Sequence, residues 1–275
     1  MDGWPFDQRT DLAPLDYLSQ VGAIFAAFDA RTQDSGNVSF GIETDGRRWF
    51  VKTAGDPAYP APFLPHRERV ALLANARHLA ESVSHRALAP FKGVVQSAWG
   101  PMLVYDWVEG ELIRTPEAQR GDPASAFQRF RSLPPDEISA AIDTILDLHV
   151  ALCGAGWVAC DFYDGSLMYD FARRTIRVID LDSYHVGPFT NEMGRMFGST
   201  RFMAPEEFEL GARIDQRTTV FNLGRAMAVL LGDGGLGRAG FRGDDAQHKA
   251  MTRACRSDPA ARFQSVASLA RAWRG

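Results

Sequence analysis

VGAIFAAFDARTQDSGNVSFGIETDGRRWFVKT, residues 21–53, alternates apolar segments with turn signals. The polar turn RTQDSGN follows VGAIFAAFDA, and the T-D-G turn at Thr44 to Gly46 separates VSFGIE from RRWFVKT, so three consecutive antiparallel strands are predicted. GDPAYPAPFLP then breaks the pattern with its prolines. From Arg67 to Val83 the apolar residues Val70, Leu73, Ala76, Leu79 and Val83 fall at helical spacing. VVQSA and PMLVYDWV add two strands. Glu109, Gly110 and the polar stretch that follows them mark a boundary. Beyond it the pattern is mostly helical, most clearly over Pro135–Gly154 and Gln216–Leu231, interrupted by the hairpin-like SLMYDFARRTIRVID. The expected fold class is α+β, in two lobes. Residues 1–19 form an N-terminal extension, 20–108 a β-rich lobe and 109–275 a helical one.

The composition narrows the function classes. A chain of 275 residues has room for a large core. Its 45% apolar and 23% charged content is that of an ordinary globular protein. A net charge of −4 with no basic block argues against nucleic-acid binding. The opening MDGWPFDQRTDLAP is acidic and proline-broken, unlike a signal peptide. The longest apolar run, around Ala226 to Leu231, is too short to cross a bilayer. Cys153, Cys160 and Cys255 form no C-x-x-C pair, so neither disulfides nor a zinc site is expected. The prediction is a soluble cytoplasmic protein with no membrane or nucleic-acid partner.

Two further stretches carry a resemblance. Phe197 to Glu207 reads FGSTRFMAPEE, and RVIDLDSYH lies about twenty residues upstream. Together they resemble the activation segment of a protein kinase. Asp180 matches the metal-holding Asp at the end of a buried strand, Gly198 and Ser199 match the Gly-Ser/Thr step, and Ala204, Pro205 and Glu206 match A-P-E. The resemblance spans about residues 20 to 272 and implies a two-lobed protein-kinase-like fold using ATP and magnesium.

Lys52 in WFVKT matches the Val-Ala-x-Lys lysine, which reaches nucleotide phosphates as a point charge. In the phosphate-covering loop only Gly36 fits the glycine pattern. Arg31 and Gln33 fall where other glycines are usual, and Val38 is placed to pack on adenine. The helix over 67–83 is expected to supply a partner for Lys52, with Glu68 and Asn75 both open. PMLVYDWVEGE resembles the interlobe hinge: Tyr105 guards the adenine pocket, and Asp106 and Val108 bond the base through their backbone. Met168 completes the implied cofactor contacts.

In ACDFYDGSLMYD, Asp161 takes the slot of the catalytic Asp of His-Arg-Asp-x-x-x-x-Asn, which accepts or orients the substrate hydroxyl proton. Ala159 and Cys160 replace the His and Arg, Tyr163 replaces a lysine, and Ser166 replaces the metal-binding Asn. Ser166 with Asp180 is the expected magnesium pair, and Asp164 is an alternative ligand. Leu181 and Asp182 stand where Phe-Gly is usual, and some bacterial kinase-like families carry a similar Asp-x-Asp-Ser there. Glu206 is expected to pair with Arg262 of SDPAARF. Thr219 takes the place of an Asp that braces the catalytic loop. The resemblance implies a Ser/Thr protein kinase acting on a protein hydroxyl. The eroded loop leaves open a pseudokinase scaffold, and the fold also serves small-molecule phosphotransferases.

Overall fold

A computed structural model of the chain describes residues 4–29, 36–60 and 63–275. It is a mixed α and β protein whose largest sheet is five-stranded and antiparallel. The chain divides into two compact units. Met1–Ser84 with Ala89–Val108 forms the first, and His85–Leu88 with Glu109–Gly275 forms the second.

In the first unit, helix α1 (Pro14–Val21) precedes strands β1 (Ala23–Phe28), β2 (Val38–Thr44) and β3 (Arg47–Thr53). Helix α2 (His66–Ser82) and strands β4 (Phe91–Ser97) and β5 (Gly100–Asp106) follow, giving the sheet order β1-β2-β3-β5-β4. The β2–β3 turn is tight because Asp45 and Gly46 both take left-handed φ, 51° and 72°. A two-residue hairpin asks for that geometry, and Asp-Gly supplies it at little cost. One face of the sheet buries Phe40, Ile42, Trp49, Val51 and Val104. Phe6, Tyr17 and Leu18 belong to the same core, and the Asp7 N–H donates to the Tyr17 hydroxyl at 2.6 Å. The segment 1–19, expected as an extension, is therefore part of this unit's core where described. Its aromatic residues complete a face that the strands alone leave open. On the other face, Leu73 and Ala76 of α2 pack against Ala54 and Leu103.

The second unit opens with β6 (Glu111–Leu112), α3 (Ala126–Arg131) and α4 (Pro135–Gly154). Helix α4 starts with Pro135 in its first turn and with Asp136 and Glu137 beside its positive end. Then come β7 (Trp157–Val158), β8 (Leu167–Asp170), β9 (Thr175–Val178), β10 (His185–Val186), β11 (Phe189–Thr190) and β12 (Arg213–Ile214). Helices α5 (Gln216–Leu230), α6 (Asp245–Ala254) and α7 (Val266–Arg274) close the chain. Asp215 caps α5 by accepting from the Arg217 N–H at 2.9 Å. The predicted hairpin is β8–β9, extended by β6 into a three-stranded sheet. Among the described residues, no helix is long and apolar enough to cross a membrane.

Candidate active site

In the first unit, strand alternation sorts the candidate residues. Lys52 sits opposite Ser39 and Leu103, whereas Val38 sits opposite Thr53 and packs toward the buried core. Adjacent residues of a strand point to opposite faces, so Val38 does not share the face of Lys52 as expected for an adenine contact. That face is aromatic instead. Phe50, two residues before Lys52, lies 6.1 Å from Phe28 and 6.3 Å from Tyr105 between ring centroids, and Phe91 lies 5.3 Å beyond Tyr105. The Asp106 carboxylate takes Lys92 at 2.8 Å and Arg47 at 3.5 Å, while its backbone N–H donates to the Pro90 carbonyl at 2.9 Å. Val108 is half-buried at the end of this unit.

The residues that α2 buries are Arg69, Leu73, Ala76 and Leu79, with no carboxylate among them. Glu68 is exposed beside Arg67, and its position one residue off the buried stripe removes it as the inward partner expected for Lys52. Asn75 is half-buried. Arg69 is the residue that sequence reading missed. Its guanidinium donates to the carbonyls of Gly36 and Ala54, and to that of Asp56 at 3.0 Å. Burial lowers its pKa from the usual guanidinium value, and Asp56 opposes that shift. Gly55 makes the close approach feasible: its φ is 69°, and a Cβ there would lie 2.2 Å from the Gly36 oxygen. Gly36 is thus held from beneath by Arg69. Arg31 and Gln33 lie outside the described residues.

In the second unit, the β8–β9 hairpin brings the two aspartate-bearing stretches together. Leu167 pairs with Val178, and one residue outward the Ile179 N–H donates to the Ser166 carbonyl at 2.9 Å. The Ser166 hydroxyl donates to the Asp161 carbonyl at 3.3 Å. Ile179, Ser166 and Asp161 are therefore linked through one short chain of hydrogen bonds, with Asp180 the next residue after Ile179, and Met168 follows half-buried in β8. Asp45, Asp161, Arg174 and Asp180 are the described non-glycine residues with left-handed φ. Asp45 and Arg174 sit at hairpin turns, but Asp161 (φ 58°) and Asp180 (φ 59°) do not. Such conformations cost about 1–3 kcal/mol and persist where the surroundings impose them, often at functional sites.

The loop is braced on both sides. Thr219 of α5 accepts from the Ala159 N–H at 3.0 Å, so a neutral hydroxyl holds the backbone there. Cys160 packs with Met196, Met203 and Ile214, and burial pushes its thiol pKa well up. Tyr163 folds its ring over Gly165, where a Cβ would lie 2.3 Å from it. Burial raises the phenol's pKa first and Asp161 adds to it; Arg114 opposes, and Asp180 and Asp164 contribute further. Tyr163 is thus a protonated, neutral phenol near these carboxylates. Asp164, the alternative metal ligand, is engaged elsewhere: its Oδ2 accepts from Arg201 at 2.8 Å, and its side chain is only 3% exposed. A guanidinium thus holds one of its two carboxylate oxygens.

Past Asp180, the Tyr184 hydroxyl bonds His149 Nε2 at 2.8 Å, and His149 Nδ1 lies 2.8 Å from the Ile145 carbonyl. A carbonyl only accepts, so Nδ1 carries the proton and Tyr184 donates to Nε2. Burial pulls the His149 pKa down to about 4, keeping the ring neutral. Gly198 (φ 137°) passes beside the catalytic candidate: a Cβ there would lie 3.5 Å from Asp161 Oδ1. Asn191, which sequence reading also missed, donates to the carbonyls of Gly194 at 2.5 Å and Glu206 at 3.2 Å. Thr218, Asn222 and Arg225 form a polar stripe on α5. They donate to Glu206 at 2.8 Å, to Glu207 at 2.8 Å and to the Arg201 carbonyl at 2.8 Å respectively.

Glu207 gives a pH test of this support. Burial raises its carboxyl pKa to about 7, against hydrogen bonds from the Ala204 N–H and Asn222 that lower it. The folded protein therefore holds this proton more tightly than the unfolded chain. The stability it contributes is complete below the ordinary glutamate value of 4.5 and is lost as pH rises through about 7. At 1.36 kcal/mol per pH unit, the change amounts to about 3 kcal/mol. Glu207→Gln is expected to remove that decline. Urea midpoints of both proteins at pH 5 and pH 8 check it, and an unchanging difference between them contradicts it.

No protein-family model matches this sequence, and a search of curated proteins finds no match.

Proposed function

We propose that this chain is a protein-kinase-like phosphotransferase that moves the γ-phosphoryl group of ATP to a protein serine or threonine hydroxyl. The observation that carries this reading is the hairpin-built cluster of Asp161, Ser166 and Asp180, with both aspartates in left-handed backbone and Gly198 against the Asp161 carboxylate. Asp161 accepts or orients the acceptor hydroxyl's proton. Gly198 lets the backbone pass close to that carboxylate, with the Met203 side chain alongside. The resemblance gives Lys52 the role of a point charge for nucleotide phosphates.

The exposed Asp180 carboxylate is a hard oxygen donor suited to magnesium, and the Ser166 hydroxyl keeps lone pairs while donating to Asp161. Among the described residues no group of three or more His, Cys, Asp or Glu is gathered to hold a metal. A magnesium ion here would be bound chiefly through one carboxylate, substrate phosphates and water. Such an ion neutralises charge on the transferring group.

A second reading, a nucleotide- or partner-binding scaffold without turnover, is favoured by Phe50 and its aromatic neighbours on the Lys52 face. The Val-Ala-x-Lys pattern puts a small Ala where Phe50 stands. The experiment is magnesium-dependent ATP binding followed by γ-phosphate transfer to the chain itself and to a generic basic protein. Binding with transfer supports the first reading, and binding without transfer the second. Ser166→Asn is expected to lower the magnesium requirement several-fold, because its amide N–H can replace the donor to Asp161 and leave a carbonyl for the ion. An unchanged requirement would remove Ser166 from the metal site.

A further inference from the structure

We propose that Arg201 is a positioning residue whose ion pair with Asp164 holds the 196–203 segment against the 159–166 loop without any phosphate on that segment. Its consequence for catalysis rests on the phosphotransferase reading; the clamp itself does not. Asp164 is fixed twice: its side chain takes Arg201 at 2.8 Å, and its carbonyl accepts from the Arg114 N–H at 3.1 Å. The guanidinium of Arg201, 27% exposed, lies 5.5 Å from the Phe127 ring and 5.4 Å from the Phe202 ring. Arg225 of α5 fixes the Arg201 backbone from the other side at 2.8 Å. A charge-assisted bond in such a shielded place is stronger and more directional than a surface pair.

The rest of the segment is tied down by uncharged contacts. Met196 and Met203 close an apolar cluster with Cys160 and Ile214. Asn191 staples the preceding turn to Glu206. Where a segment is ordered by modification, an added phosphate recruits an arginine. Here Cys160 offers no charge, and the Arg201 fork is already bound to a built-in carboxylate. Asp164 supplies the anion that a phosphate supplies elsewhere.

Hydrogen exchange reads the clamp directly. The amides of Met196, Phe202 and Met203 donate to the carbonyls of Glu207, Ser199 and Ser199 at 2.8, 2.8 and 3.2 Å. In phosphatase-treated wild-type protein, confirmed phosphate-free by mass, these amides are expected to exchange slowly. Arg201→Gln and Asp164→Asn, which break the pair from opposite sides, should each speed their exchange by about tenfold or more while α4 amides stay unchanged. The KM for the protein acceptor should rise by a similar factor, with the KM for ATP unmoved. Wild-type exchange rates in either folded variant overturn the proposal, as does a segment that is protected only when phosphorylated. If the variants release the segment but wild type transfers no phosphate, the clamp stands and the phosphotransferase reading falls.

Discussion

Asp161→Asn is expected to lower phosphoryl transfer by about 10²–10⁴-fold, the usual worth of a positioned acid–base group, while ATP affinity stays within a few-fold of wild type. The substitution is well suited to the position. Asp161 has φ 58°, and asparagine adopts left-handed backbone about as readily as aspartate. The Ser166 bond goes to the residue 161 carbonyl, so it survives the change. What is lost is the negative oxygen beside Gly198 that can take a proton. Asp180→Asn is the informative contrast, since it should weaken magnesium-dependent ATP binding as well as turnover. Steady-state rates and nucleotide titrations, with melting curves to show intact folding, check both. Transfer that persists unchanged in Asp161→Asn removes that residue from the mechanism.

Features set by local pattern were legible in the sequence. Helix Pro135–Gly154 was expected at those bounds, and the Gln216 helix ends one residue before its predicted limit. The β8–β9 hairpin was readable because turn residues separate two short apolar runs. The resemblance to kinase motifs is what singled out Asp161 and Asp180 as candidates. Features that depend on which face a residue shows were less legible. Glu68 missed the inward stripe of α2 by one residue, and Val38 missed the Lys52 face by one. At a period of 3.6 or 2, a one-residue error moves a side chain to another face. Trp4, Phe6 and Tyr17 resembled a tail until the sheet supplied something to cover. The Arg69 carbonyl clasp and the Arg201–Asp164 pair join residues 13 to 37 positions apart, beyond any local pattern. One signal was available: Thr218, Asn222 and Arg225 recur at i, i+4 and i+7 in a helix whose remaining residues beyond Thr219 are apolar or glycine, which marks a largely buried polar stripe in need of partners.

Arg262→Met is expected to destabilise the second unit by about 3–5 kcal/mol, the cost of stranding one member of a buried ion pair. The arginine is fully buried and meets both Glu206 oxygens, at 2.6 and 2.8 Å. It also donates to the carbonyls of Arg256 at 2.6 Å, Arg217 at 2.9 Å and Ser257 at 2.9 Å. Methionine keeps much of the volume but none of these donors, leaving the buried Glu206, among the described residues, with the Thr218 hydroxyl at 2.8 Å as its side-chain hydrogen-bond partner. The penalty comes mainly from that stranded charge, which makes a specific double variant diagnostic. Glu206→Gln retains an acceptor for Thr218 without the charge, so combining it with Arg262→Met should recover at least about 1 kcal/mol relative to additivity. Urea unfolding followed through the buried Trp157 and Trp273 measures the cycle. A loss below about 1 kcal/mol for Arg262→Met, the range of exposed pairs, would mean that the pair contributes geometry without stability. The effect reaches the candidate site through the chain itself: Glu206 adjoins Glu207, whose carbonyl accepts from Met196, and Met196 packs on Cys160 beside Asp161. Loss of the pair should therefore lower transfer activity at temperatures well below the unfolding midpoint, as the 196–207 segment loosens first.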